Sequence, residues 1–139
     1  MGLVYAEIEL INAFDVEMAK RNLLGEEEIR RIHVTALADK GAWMMCINEN
    51  IQSVLNLTFK EKRKFQTADG KMVEYDVVGP VDIKFKGKTA TCNAFVLPGD
   101  SEPLLGAVPM EDLDVIIHPK RQQLIVNTEI HLLPALKLV

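Results

Sequence analysis

Polar and apolar residues alternate along much of the chain. In Val4-Tyr5-Ala6-Glu7-Ile8-Glu9-Leu10, the residues Val4, Ala6, Ile8 and Leu10 share one face, while Glu7 and Glu9 lie on the other. This period of two predicts a half-buried strand. Asn12-Ala13-Phe14-Asp15 and Leu24-Gly25-Glu26 read as loop or turn, with a helical turn or more between residues 15 and 24. Alternation returns in Ile32-His33-Val34-Thr35-Ala36-Leu37-Ala38, with Ile32, Val34, Ala36 and Ala38 inward. After Asp39-Lys40-Gly41-Ala42 the chain resumes as a wholly apolar strand, Trp43-Met44-Met45-Cys46-Ile47. Asn48 then suits the cap of a short helix, in which Ile51, Val54 and Leu55 fall at helical spacing.

Residues 59–97 read as a series of hairpins. Lys64-Phe65-Gln66-Thr67 and Lys71-Met72-Val73-Glu74-Tyr75 flank Ala68-Asp69-Gly70. Asp-Gly between two extended runs is a strong hairpin signal, because both residues tolerate positive φ. Val81, Ile83 and Phe85 alternate with charged residues; Gly87 turns the chain; Ala90, Cys92, Ala94 and Val96 then share a face opposite Thr89, Thr91, Asn93 and Phe95. Residues 98–103 form a loop before Leu104-Leu105-Gly106, and Pro109 suits the first turn of a helix over residues 110–114. Val115-Ile116-Ile117 and Leu124-Ile125-Val126 are short apolar runs on either side of a turn, and residues 130–139 form an apolar tail suited to an edge strand or a partner. Short strands at near-regular spacing predict an all-β fold, a closed or partly closed barrel with one or two short helices.

Composition narrows the class. At 139 residues, 48% hydrophobic and 26% charged, the chain fits one globular domain and excludes disorder, collagen-like repeats and a disulfide scaffold. A chemistry that needs two copies of this fold therefore takes its second copy from a second chain. The net charge of −4 is spread evenly, and no basic footprint for nucleic acid is present. The run Lys60-Glu61-Lys62-Arg63-Lys64 reads as a solvated strand face or loop. Residues 1–30 carry seven acidic residues and no apolar core of a signal peptide. No apolar stretch reaches the roughly 20 residues that span a bilayer. A cytoplasmic protein without a membrane partner is expected. Cys46 and Cys92 lack metal-type spacing and read as buried, reduced thiols rather than a disulfide.

The candidate chemistry lies in Asp39-Lys40-Gly41-Ala42, an acid between two apolar strands. Asp and Gly also make ordinary strand-connecting turns. The wider order favours more than a turn: Ala36-Leu37-Ala38-Asp39-Lys40-Gly41-Ala42, a short helix over residues 48–55, a hairpin around Asp69-Gly70, then Pro103-Leu104-Leu105-Gly106 and Met110-Glu111-Asp112-Leu113. Over residues 30–127 this order resembles the retropepsin-like aspartic proteases, the single-lobe relatives of pepsin. Residues 1–29 then supply an N-terminal strand and loop, and residues 128–139 a C-terminal tail, of a single retropepsin-like domain.

The resemblance implies an aspartic endopeptidase acting as a homodimer on peptide or protein substrates, without metal or cofactor. Asp39 and its symmetry mate would share a proton across a lytic water, one carboxylate acting as base and the other as acid. Lys40, Gly41 and Ala42 complete the active-site loop. Ala68, Asp69 and Gly70 form the flap, and Leu104, Leu105 and Gly106 the supporting motif. The family carries Thr or Ser where this chain has Lys40. An ammonium there favours ionised Asp39 and opposes the shared proton, so weak or absent cleavage is expected. Two alternatives are a non-catalytic dimeric β-barrel that binds peptides in the same groove, and an unrelated β-barrel binding module in which Asp39 is a turn residue.

The remaining candidates carry plainer readings. Trp43 is expected in the core rather than in contact with substrate, and Met44, Met45 and Met72 are expected as core filler. Tyr75 supports the flap or simply packs. His33, His118 and His131 are scattered without metal spacing, and Arg121 is a solvated turn residue.

Overall fold

The computed structural model describes residues 2–127. The apolar tail at residues 130–139, with His131, lies outside the described residues. The fold is mostly β. Strand β1 (Tyr5–Asn12) leads into helix α1 (Ala13–Lys20), whose first turn is capped by Asn12, its Oδ1 accepting the Asp15 N–H at 3.1 Å. The helix expected somewhere in residues 15–24 thus starts earlier, at the capping asparagine. A single 3₁₀ turn, Glu26–Glu28, precedes β2 (Arg31–Ala38).

Strand β3 (Met45–Asn48) is followed by α2 (Glu49–Leu55), then by the long strands β4 (Thr58–Gln66), β5 (Met72–Phe85) and β6 (Lys88–Leu97). Two-residue β7 (Leu104–Leu105), α3 (Ala107–Leu113), β8 (Val115–His118) and β9 (Gln123–Val126) complete the chain. α3 begins before Pro109 rather than at it, because Gly106 in extended conformation serves as its N-cap.

The seven main strands order as β1-β2-β7-β3-β6-β5-β4, and β1 also pairs with β5. Six strands therefore close into a ring, from which β4 extends beyond β5. The closure is antiparallel, with Leu10 opposite Ile83. β8 and β9 form a separate two-stranded sheet against one end of the ring, where Val115 and Leu124 join the core.

The alternation of β1 is realised as expected: Val4, Ala6, Ile8 and Leu10 are all buried. Ala36 and Ala38 of β2, Met45 and Ile47 of β3, and Val81 and Ile83 of β5 meet them in one core. Asn48 caps α2, accepting the Ile51 N–H at 2.8 Å, and its amide donates to the Ser101 carbonyl at 2.8 Å. Of the three apolar positions expected to pack on this helix, Ile51 and Leu55 are buried, whereas Val54 faces solvent.

Three core expectations are corrected. β3 starts at Met45, so Trp43 and Met44 belong to the preceding loop, and Trp43 is 55% exposed. Met72 is also exposed, on the last rung of the β4–β5 hairpin beside its tip. An all-apolar run does not distinguish a strand buried on both faces from a loop packed on one side. Phe95, expected on the polar face of β6, is buried in a second apolar cluster with Cys46 and Val77.

That second cluster decides the shape of the candidate site. On β3, Met45 and Ile47 face the ring's core, and Cys46 faces the opposite way. Cys46 pairs with Phe95 and Leu104, and Phe95 with Val77. The outer face of these strands thus carries its own apolar patch, with Met44, Phe65, Tyr75, Leu97 and Leu104 packed around it and only partly buried.

Candidate functional site

The Asp39 turn is built by three strands. β7 lies between β2 and β3, parallel to β2 (Leu37 beside Leu104, Ala38 beside Leu105) and antiparallel to β3 (Cys46 opposite Leu104). The Asp39 N–H donates to the Leu105 carbonyl at 3.0 Å, carrying the β2–β7 ladder into the turn. Within the turn, the Gly41 N–H donates to Asp39 Oδ1 at 2.8 Å, and the Ala42 N–H to the Asp39 carbonyl at 3.1 Å. The short Asp side chain closing on its own backbone two residues ahead fixes one carboxylate oxygen. The other oxygen has no hydrogen bond among the described residues.

The turn's far side is held by the start of α3. Ala107 N–H donates to the Ala42 carbonyl at 2.8 Å, and Val108 N–H to the Trp43 carbonyl at 2.9 Å. Between these two bonds Gly106 presses against the loop backbone. A Cβ on it would stand 2.8 Å from the Ala42 carbonyl oxygen and closer still to that of Met44. Here glycine is required by close approach of two backbones, since the Gly106 φ of −84° is open to any residue.

Leu104, Leu105 and Gly106 are thus brought directly to Asp39, Gly41 and Ala42. Lys40 sits at the tip of the turn. In the single chain Lys40 is exposed and forms no ion pair among the described residues. A flexible four-carbon stem at a turn tip places its charge in water unless something covers it.

Ala68, Asp69 and Gly70 form the tip of the β4–β5 hairpin. Gly70 has a φ of +87°, the conformation the Asp-Gly signal anticipates. The tip closes on itself, through Thr67 N–H to the Lys71 carbonyl at 2.8 Å and Lys71 N–H to Asp69 Oδ1 at 3.2 Å. The Thr67 hydroxyl and the Lys71 N–H hold the Asp69 carboxyl below its ordinary range. The hairpin's link to the Asp39 loop runs through its stem. The Arg63 guanidinium lies 5.6 Å over the Trp43 ring, and Phe65 meets Phe95 edge-to-face at 4.7 Å. Trp43 in turn lies 6.3 Å from Phe95.

The outer apolar patch therefore lies between the hairpin stem and the Asp39 loop. Burial, and then the negative charge of Asp39, push the Cys46 thiol up to about 11. Asp39, half-buried after the end of β2, lies in the same loop as Trp43, whose ring meets Phe95 of the patch.

Arg63, Phe65 and Phe95 escaped the sequence reading as site residues, whereas Trp43 and Tyr75 were singled out there, Trp43 for the core and Tyr75 for the flap or packing. The usable signal was local: Phe95 stands among Thr and Asn on the polar face of β6, and Phe65 interrupts the charged run of β4. Among the described residues no three His, Cys, Asp or Glu side chains gather so as to hold a metal ion, and no helix is long and apolar enough to cross a membrane. No protein-family model and no curated protein matches the chain.

Proposed function

We propose that the chain is one lobe of a retropepsin-like aspartic peptidase, which completes its site by pairing with a second copy in the cytoplasm. The observation that carries this reading is the locking of the Asp39 turn. β7 threads between the two strands that flank it, and Gly106 presses on the backbone of Ala42 and Met44. An incidental turn needs no such support, whereas a carboxylate that must meet its twin at short range needs a rigid backbone. The half-open patch beside it suits an extended peptide, and in this reading the Ala68-Asp69-Gly70 hairpin acts as the flap over it.

In the pair, two Asp39 carboxylates share one proton. The ionised one draws a proton from water as it attacks the peptide carbonyl, and the protonated one donates to the carbonyl oxygen. Like charges that close do not both ionise readily, which keeps one proton in place. Lys40 follows Asp39 directly, and an ammonium brought to the two-fold axis favours the doubly ionised state. Slow cleavage follows from the charge.

The test is peptide cleavage from about pH 4 to 7 by the natural chain, Lys40→Thr and Asp39→Asn, beside the mass in solution. A dimer is expected, with Lys40→Thr cleaving at least about tenfold faster than the natural chain and Asp39→Asn inactive. Equal rates with and without Lys40 overturn its role, activity surviving Asp39→Asn overturns the dyad, and a monomer at assay concentrations overturns the pairing. Lys40 itself favours one second reading, a dimer that binds peptides in the same groove without cutting them. Binding by the natural chain, with no cleavage by Lys40→Thr, selects it.

A further inference from the structure

We infer that the outer patch and the Trp43–Arg63 pair at its rim select peptides that carry a large apolar residue and, two positions away, a carboxylate. The inference rests on the peptide-binding groove proposed above and names the class of peptide it takes.

The apolar half follows from the wall itself. Phe65 stacks edge-to-face on Phe95 and lies 6.0 Å from Tyr75, with Met44 and Leu104 partly open beside them. Such a surface gains most from covering a large apolar side chain.

The charged half follows from register. Arg63 stands opposite Tyr75 and Phe65 opposite Val73 on paired strands, so Arg63 and Phe65 share a face two residues apart. Same-face side chains of an extended peptide recur at about 6.6–6.8 Å, the repeat of β4 itself. A peptide laid along this face with its apolar residue at Phe65 brings the next residue on the same face, two positions along, to Arg63.

Arg63 is prepared for an anion there. Its guanidinium is oriented by the Trp43 ring, and its other partner is Glu61 at 2.7 Å. Both side chains of that ion pair are substantially exposed, at 37% for Arg63 and 53% for Glu61. A pair of this kind holds weakly and can be exchanged for an incoming carboxylate without stranding a buried charge. Asp39 and Glu61 are the opposing charges, and Glu61 is released from Arg63 when a peptide carboxylate takes its place.

Trp43 is the chain's one tryptophan, so its emission reports occupancy directly. The experiment titrates full-length Asp39→Asn, which holds peptides without cutting them, with blocked alanine-based hexapeptides. These contain Phe-Ala-Glu, Glu-Ala-Phe, Phe-Ala-Gln or Ala-Ala-Glu. One of the two Phe/Glu orders is expected to bind about tenfold tighter than Phe-Ala-Gln, and Ala-Ala-Glu weakest. Adding Arg63→Gln should reduce the Glu preference to within about twofold while leaving Phe-Ala-Gln unchanged; Arg63→Lys, which keeps the charge but loses the fork, should retain part of it.

Equal binding of Glu and Gln peptides overturns the inference, as does a preference that survives Arg63→Gln. If Lys40→Thr cleaves both with equal kcat/KM, the selectivity fails and the peptidase reading stands. If Arg63-dependent binding is seen but no form cleaves, the peptidase reading fails and the selectivity stands. If nothing binds, the groove and the selectivity fall together.

Discussion

Gly106→Ala probes the construction of the Asp39 turn without touching its charge. The added methyl would stand 2.8 Å from the Ala42 carbonyl oxygen and 2.9 Å from the Met44 carbonyl carbon, where ordinary contacts begin at about 3.5 Å. Both neighbours are backbone, so no side-chain rotation relieves the clash, and the loop or α3 must move. Overpacking of this kind costs about 1–3 kcal/mol. The displacement also loosens the Ala107-to-Ala42 and Val108-to-Trp43 hydrogen bonds, worth about 1 kcal/mol each. Loss of glycine's freedom in the unfolded chain returns about 0.5–1 kcal/mol. The net loss is about 2–4 kcal/mol, a fall in Tm of about 8–16 °C for a domain of this size.

Urea and thermal unfolding, followed by far-UV circular dichroism and Trp43 emission, measure it. Gly70→Ala is the control, because it sits at a φ of +87° with no atom within 4 Å of a new Cβ. It should lose only about 1 kcal/mol, from conformation alone. If Gly106→Ala lies within about 1 kcal/mol of the natural chain, or costs no more than Gly70→Ala, the close approach does not hold the turn and the argument for a built site fails.

Three further outcomes follow from buried polar groups. Asp15 is buried and accepts from Arg30 through its N–H at 3.0 Å, Nε at 2.8 Å and Nη2 at 2.8 Å; Asp15→Asn should cost about 2–3 kcal/mol, less than a fully buried pair because Arg30 is partly exposed. Arg30 lowers the Asp15 carboxyl below its ordinary 3.8, so this stability is present above about pH 4 and lost as pH falls further, and Asp15→Asn should flatten the acid limb of the stability curve. Asn48→Ala removes both the α2 cap and the amide bond to Ser101, and should lower unfolding free energy by about 1–3 kcal/mol, with Asn48→Asp between the two; a loss below about 0.5 kcal/mol refutes the dual role. Burial pushes Cys46 and Cys92 up to about 11 from 9.0. The unfolded chain therefore ionises its thiols first, stability should decline from about pH 9 toward pH 11, and Cys46→Ala with Cys92→Ala should make that decline shallower in urea titrations.

Much of the local structure was legible in the residues alone. The alternation of β1 named its buried face, Asp69-Gly70 named a hairpin, and Asn48 named the start of a helix. Each depends on a period of two or on the chemistry of a few adjacent residues, which needs no knowledge of what lies across the sheet. The Asp39 turn and Leu104-Leu105-Gly106 were visible as two separate signals 65 positions apart. That β7 joins them by entering between β2 and β3, and that Gly106 is glycine because two carbonyls crowd it, was decided by strand order. Tertiary structure likewise put Trp43 at a rim rather than in the core, left Lys40 in water, and gathered Phe65, Tyr75 and Phe95 into a patch on the outer face. An apolar side chain carries the same signal whichever face it covers; only the pairing of distant strands determines which of those faces is closed by the chain itself and which is left open for something else.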